Sequence, residues 1–159
     1  MNTKFQQKKA SDEWYTPKEI IDALGPFDLD PCSPEHRLWD TAKRHYTKAQ
    51  NGLSLPWEGR VWLNPPYSQP LLKMFVEKMA EHNRGIALLY NRCDNNMFRD
   101  IIFPKAKAMM FISHRVRFYQ PDGTRGGNPG CGSVLIAFGN QDARILQNCK
   151  IEGKFIWIN

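Results

Sequence analysis

Residues Asn64-Pro65-Pro66-Tyr67 place an amide, two prolines and a phenol at four consecutive positions. Neither proline has an N–H, and each restricts the residue before it, so the backbone after Leu63 is stiff and cannot continue a sheet ladder. The Asn64 side-chain oxygen and the Pro65 carbonyl are two acceptors at one rigid corner, and an amino group with two hydrogens can donate to both. Accepting both hydrogens keeps electron density on that nitrogen as it attacks an electrophile. Tyr67 offers a flat ring for stacking. The corner suits a planar base that carries an exocyclic amino group. The competing expectation is a proline-stiffened loop whose tyrosine caps the core.

Such a corner needs elements to hold it. Val61, Trp62 and Leu63 form an apolar, β-favouring run that reads as a buried strand ending at Asn64. Ser68-Gln69-Pro70 opens a helix through about residue 82, with Leu71, Leu72, Phe75, Val76 and Met79 on its buried face. Gly85–Tyr90 is a continuous apolar run, hence a central parallel strand, and it ends at the polar loop Asn91–Asn96. Met97–Phe103 reads as a short helix and Ala106–Ile112 as the next strand. Upstream, Thr16, Pro17 and Glu19 have capping-box spacing for a helix that runs along Ile20, Ile21 and Leu24 and ends at Gly25-Pro26. Phe27 and Leu29 alternate with Asp28 and Asp30 in a short strand closed by Pro31. Open α/β sheets bind ligands beyond the carboxyl ends of their strands, which is where Asp30 falls. A carboxylate there can pair with an amino group; its rival task is to cap a helix over residues 34–46, where Leu38, Ala42 and Tyr46 share one side. Asn51-Gly52 is a turn. Ser113–Tyr119 alternates like a half-exposed strand, Gln120–Gly132 is a glycine-rich polar loop, Ser133–Phe138 returns as a strand, and Lys154–Ile158 reads as an edge strand. Arg115, Arg117 and Arg125 suit phosphate or base contacts, or are simply solvated. Strands and helices alternate to about residue 112 before a hairpin closes the sheet, so the class is α/β, a Rossmann-like sheet whose last strand runs antiparallel.

A chain of 159 residues suits a single domain, 13–159, behind a flexible basic arm at residues 1–12. Hydrophobic residues at 42% and charged residues at 24% indicate a globular rather than a disordered chain. A net charge of +6 favours a polyanionic partner. The cysteines, Cys32, Cys93, Cys131 and Cys149, show no Cys-x-x-Cys spacing, and His36 and His45 are poorly spaced as ligands, so no metal is expected and the thiols read as reduced. The polar start is not a signal peptide, and no apolar run approaches the roughly 20 residues of a membrane span, so a cytoplasmic protein is expected.

Five stretches occur in a telling order: Trp14-Tyr15-Thr16-Pro17, Phe27-Asp28-Leu29-Asp30-Pro31-Cys32, Asn51-Gly52-Leu53 followed by Trp57, Asn64-Pro65-Pro66-Tyr67-Ser68, and Arg115-Val116-Arg117-Phe118. In that order the chain resembles the phage-type DNA N6-adenine methyltransferases (Dam-like) over most of its length. The resemblance implies a reduced Rossmann-like methyltransferase sheet with a C-terminal antiparallel hairpin. It implies S-adenosylmethionine as methyl donor, a flipped-out adenine of double-stranded DNA as acceptor, a GATC-type target, and a phage or prophage origin in a bacterial host. Asn64, Pro65, Pro66 and Tyr67 would be catalytic. Trp14, Thr16 and Pro17 would lie beside the methionine part of the donor. Asp30, Pro31 and Cys32 form the Asp-Pro-Cys version of the first cofactor motif, without the glycine-rich fingerprint of the commoner version. Asn51 stands where an acidic residue near the donor's adenine is usual. Ser68, Arg92, Arg115, Arg117 and Arg125 would meet DNA. Asn-Pro-Pro-Tyr enzymes also methylate cytosine N4 or a protein glutamine, and a catalytically inactive DNA-binding module is the remaining alternative. The short interval between Asp30 and Asn64 predicts either a pared-down sheet or a partly open cofactor pocket, with weak donor affinity or dependence on a dimer; monomer and homodimer both remain open.

Overall fold

The computed structural model describes residues 14–159, so the basic arm expected over residues 1–12 lies outside the described residues. The elements in chain order are α1 (Lys18–Leu24), β1 (Leu29–Asp30), β2 (Arg44–His45), β3 (Val61–Leu63), α2 (Leu71–His82) and β4 (Gly85–Tyr90). A π-helical turn (Phe98–Ile102) then runs into the short α3 (Phe103–Lys105), followed by β5 (Ala108–Ile112), β6 (Ser133–Phe138), α4 (Asn140–Asn148) and β7 (Gly153–Trp157). The strands form one seven-stranded sheet in the order β2-β1-β3-β4-β6-β5-β7. β1, β2, β3 and β4 pair in parallel, whereas β6 is antiparallel to both β4 and β5, and β7 to β5. The fold is mixed α/β. The hairpin expected between residues 113–119 and Ser133–Phe138 does not form; β6 pairs instead with β4 and β5, inside the sheet and reversed between two strands that run the same way, and β7 covers the outer side of β5.

The apolar runs explain the centre. Every residue of β6 is buried, as are Gly85–Leu89 of β4, and their ladder runs from Gly85↔Phe138 to Tyr90↔Ser133. Alternation splits the core into two layers. On one face Val61, Leu63, Leu89 and Ile136 pack with Leu72, Phe75, Val76 and Met79 of α2. On the other, Trp62, Ile86, Leu88 and Leu135 pack with Ile20, Ile21 and Leu24 of α1 and Ala143 and Leu146 of α4. Leu71, expected on the buried face of α2, is 37% exposed.

At the amino ends of the parallel strands, Arg60 is 6% exposed and Asp142 fully buried. Arg60 Nε and Nη2 donate to Asp142 Oδ1 at 2.9 and 2.7 Å, and Nη1 and Nη2 donate to the Pro26 and Leu24 carbonyls at 2.8 and 3.1 Å. One guanidinium thereby joins the end of α1, the start of β3 and the first turn of α4.

Three local expectations are corrected. α1 follows Pro17 with no side-chain cap, because the Thr16 hydroxyl accepts from Asn64 instead of from the helix, so the capping box does not form. Residues 34–46 are not helical. Trp39 Nε1 donates to the Thr16 carbonyl at 3.0 Å, the Thr41 hydroxyl donates to Asp30, and Tyr46 N–H reaches Asp30 O at 2.9 Å. These tertiary bonds outweigh a modest local helix preference, and the segment instead adds β2 to the sheet edge. Residues 113–119 lie beyond the end of β5 with no strand alongside, and they make only isolated bridges, Tyr119 with Tyr15 and with Arg125. The interval between Asp30 and Asn64 holds the two-residue β2 and no helix, and β1 pairs directly with β3 through Leu29↔Val61.

Candidate active site

A cavity of about 680 Å³ opens at the carboxyl ends of β1, β3 and β4. Its walls include Pro31 and Cys32 after β1, Asn64–Ser68 after β3, and Leu88–Tyr90 at the end of β4. Asn51 and Gly52, Leu71 and Phe75 of α2, and Trp14, Phe118 and Ser133 also contribute. Strand alternation divides the walls. Asn64 continues β3 on the Trp62 face, and Tyr90 and Ser133 stand opposite one another on that face. Leu89 and Phe75 belong to the other layer, against which Cys32 packs. The cavity therefore wraps around the sheet edge, one compartment on the α1 side and one on the α2 side.

Asn64 sits at the junction. Its Nδ2 donates to Thr16 Oγ1 at 3.2 Å and to the Trp14 carbonyl at 3.4 Å. That fixes the amide and leaves Oδ1 to accept. Thr16 is itself held: it is 3% exposed and its carbonyl takes the Trp39 indole N–H, while Tyr15 and Tyr119 exchange backbone hydrogen bonds at 2.9 and 3.0 Å. The Trp14-Tyr15-Thr16 run is thus the brace of the amide. Pro65 is buried and Pro66 half-buried. The Tyr67 hydroxyl accepts the Tyr90 N–H, a ladder group of β4 beyond the end of β3. Its ring lies 4.6 Å from that of Tyr90 and the residue is 41% exposed, so a ring face stays open. Burial of the hydroxyl pushes the phenol well above its usual pKa, so it stays neutral.

Asp30 is 3% exposed; it accepts the Cys32 N–H at 3.0 Å and the Thr41 hydroxyl, and burial pushes its carboxyl up to about 6. Burial also raises the Cys32 thiol well above its usual value. Asp30 and Thr16 line a small recess that shares Trp14, Cys32 and Asn64 with the main cavity. Pro17 lines neither and serves as the first flank of α1. Asn51 has the left-handed φ of 57° and accepts the Leu53 N–H at 3.3 Å. At Gly52 a Cβ would stand 2.2 Å from the Pro31 carbonyl, so only glycine lets this turn close on the Asp30-Pro31-Cys32 loop. Sequence reasoning missed the group that holds the turn down. Lys78 Nζ donates to the carbonyls of Gly52, Leu53 and Leu55 at 3.4, 2.7 and 2.6 Å and lies 5.2 Å from the Trp57 ring. Its place on the flank of α2 gave no signal. Ser133 was missed too; only its position at the start of a strand could have pointed to it.

The arginines divide. Ser68 borders the cavity, but Arg92, Arg115, Arg117 and Arg125 do not line it. Arg117 Nε donates to the Gly126 carbonyl at 3.0 Å. Arg125 pairs with Glu19 at 3.0 Å and stacks 5.1 Å from the Tyr119 ring. Both therefore tie the loop down. Arg92 and Arg115 are exposed, and Arg115 leans over Gly132, where a Cβ would lie 3.5 Å from its Nη1. Among the described residues, no group of acidic, histidine or cysteine side chains is arranged to hold a metal, and no helix is long and apolar enough to cross a membrane.

The sequence model of the DNA N-6-adenine-methyltransferase (Dam) family matches residues 3–149. An 86-residue stretch is 38% identical to the DNA N-6-adenine-methyltransferase of Escherichia phage T1, covering 49% of this chain and 35% of that protein. The matched stretch therefore spans well under two thirds of its relative. No solved structure matches the chain.

Proposed function

Because the chain belongs to the DNA N-6-adenine-methyltransferase (Dam) family, we propose that it transfers a methyl group from S-adenosylmethionine to the N6 amino group of an adenine extruded from double-stranded DNA. A Rossmann-like reading of the sheet accords with a ligand crevice at the carboxyl ends of its parallel strands. When bound, the donor supplies an electrophilic methyl carbon on a positive sulfur. The α2-side compartment and the recess beside it together would take such a molecule: from the recess Asp30 would meet the α-ammonium group, and in the compartment Asn51 would meet the amino group of the adenine ring and Leu71 and Phe75 an apolar face. The buried carboxyl with its raised pKa is the feature that most needs a cationic partner.

Asn64 Oδ1 and the Pro65 carbonyl would accept the two hydrogens of the target amino group, leaving its lone pair aimed across the sheet edge. The Tyr67 ring would stack on the base, and Trp14 and Phe118 would close the pocket. Extrusion costs a few kcal/mol, which stacking and these hydrogen bonds offset. Rate enhancement is then orientation together with stabilisation of the charge that develops on the amino nitrogen. Arg92 and Arg115 would follow the phosphate backbone, while Arg117 and Arg125 shape the loop. A GATC-type site and action in the cytoplasm of a bacterial host are the expectations that come with the family.

The observation that carries this reading is the braced amide of Asn64 in a cavity shared with the Asp30-Pro31-Cys32 loop. The test is Asn64→Ala, assayed with tritiated donor on unmethylated DNA, cytosine-only DNA and protein. Turnover on DNA falls by about a hundredfold or more, while S-adenosylhomocysteine binds nearly as well as to the parent. Comparable turnover in the variant would refute the role of Asn64, and label on cytosine-only DNA or on protein would reassign the acceptor.

A further inference from the structure

Ser133 opens β6 directly opposite Tyr90 and is 1% exposed. Its side chain shares a sheet face with Tyr90 and Leu88, and the residue forms part of the main cavity wall. Its Oγ is buried and has no hydrogen-bond partner among the described residues. Hydroxyls enclosed by protein are normally paired, because an unpaired one keeps its full desolvation cost. The neighbours do not remove that cost: the Tyr90 N–H is taken by the Tyr67 hydroxyl, the Gly132 carbonyl by the Asn91 N–H, and the Cys131 thiol donates to Asn91 Oδ1 at 3.3 Å. In the same compartment stand Asn64, Tyr67 and Phe118, an acceptor and two flat rings.

We infer that Ser133 is a base-binding residue, whose hydroxyl donates a hydrogen bond to a ring nitrogen of the extruded base while Asn64 and Pro65 hold its amino group. The inference rests on the proposed acceptor and deepens it. A purine presents its amino group at one edge and bare ring nitrogens around the rest of its perimeter. Asn64 grips the first from β3, and Ser133 stands two strands away across β4, on the same face. With base bound, the hydroxyl gains a partner that the described residues do not provide. Removing it therefore leaves the free fold no worse and weakens only the base-bound state.

The test begins by mapping the adenines that the parent protein methylates in unmethylated DNA, then uses a short duplex with that site. Ser133→Ala raises KM for this duplex by roughly five- to tenfold. It melts no lower than the parent, binds S-adenosylhomocysteine equally well, and matches the parent in affinity for a duplex with an abasic position at the target. A KM equal to the parent's, a lower melting temperature, or a loss that persists on the abasic duplex would each overturn the inference. Failure of the parent protein to methylate any adenine would instead overturn the acceptor assignment and the inference with it.

Discussion

Asp30 and Thr16 show how a single side chain's task is decided by its surroundings. Burial raises the Asp30 carboxyl from its ordinary 3.8 to about 6, so the folded protein holds that proton more tightly than the unfolded chain does. Its ionised form costs stability, and the cost grows as pH rises from the lower value through the higher. A bound ammonium group needs that ionised form. S-adenosylhomocysteine affinity is therefore expected to be level above a pH of about 6 and to fall about tenfold for each pH unit below it. Asp30→Asn binds weakly at every pH and loses the slope; calorimetric titration across pH checks both. The places of Asn64, Tyr67 and Asp30 at strand ends were legible in the sequence because the signals are local: an amide before two prolines, a ring after them, a carboxylate closing a short strand. The Thr16 hydroxyl was not, because its partner lies 48 residues away and local spacing offered it a plausible helix to cap.

Among elements, the Asn51–Gly52 turn holds its shape through a helix that is distant in sequence. Lys78 reaches from α2 to the carbonyls of Gly52, Leu53 and Leu55, in and just after the turn, and the turn in turn presses on Pro31. Lys78→Met is expected to weaken S-adenosylhomocysteine binding by about tenfold or more, since hydrogen bonds to a charged group are worth about 1.5–3 kcal/mol. Lys78→Arg recovers part of the loss, and binding to DNA without donor stays as in the parent; fluorescence titrations with each ligand distinguish these outcomes. β3, β4 and β6 were readable because continuous apolar runs report burial on both faces. Residues 34–46 and 113–119 were misread for one shared reason: their backbones are organised by Trp39, Thr41 and Tyr119 reaching other segments, not by their own periodicity. α4 escaped notice because it opens on Asn140-Gln141-Asp142, a polar run whose acid is buried against Arg60.

For the molecule as a whole, Arg60 and Asp142 lock the amino side of the sheet while the carboxyl side is left open for ligands. Removing one partner strands the other charge in the core, so Asp142→Ala is expected to cost about 3–5 kcal/mol in urea unfolding. The double change Arg60→Met with Asp142→Leu loses far less, because no buried charge remains. Most of the strands followed from the sequence, β2 excepted, but their order did not. Periodicity marks a strand and its buried faces; it carries no information on which neighbour the strand chooses, so the reversed place of β6 became visible only in three dimensions.

That reversal has an evolutionary corollary. β5 leaves the sheet, and β6 enters it, at the same rim, so the whole stretch 113–132 is tethered at both ends above the proposed acceptor half, while the proposed donor half hangs from β1 and α2. On the proposed function, insertions, deletions or swaps in this tethered stretch would retune which duplex is read, with the methyl-delivering half inherited unaltered.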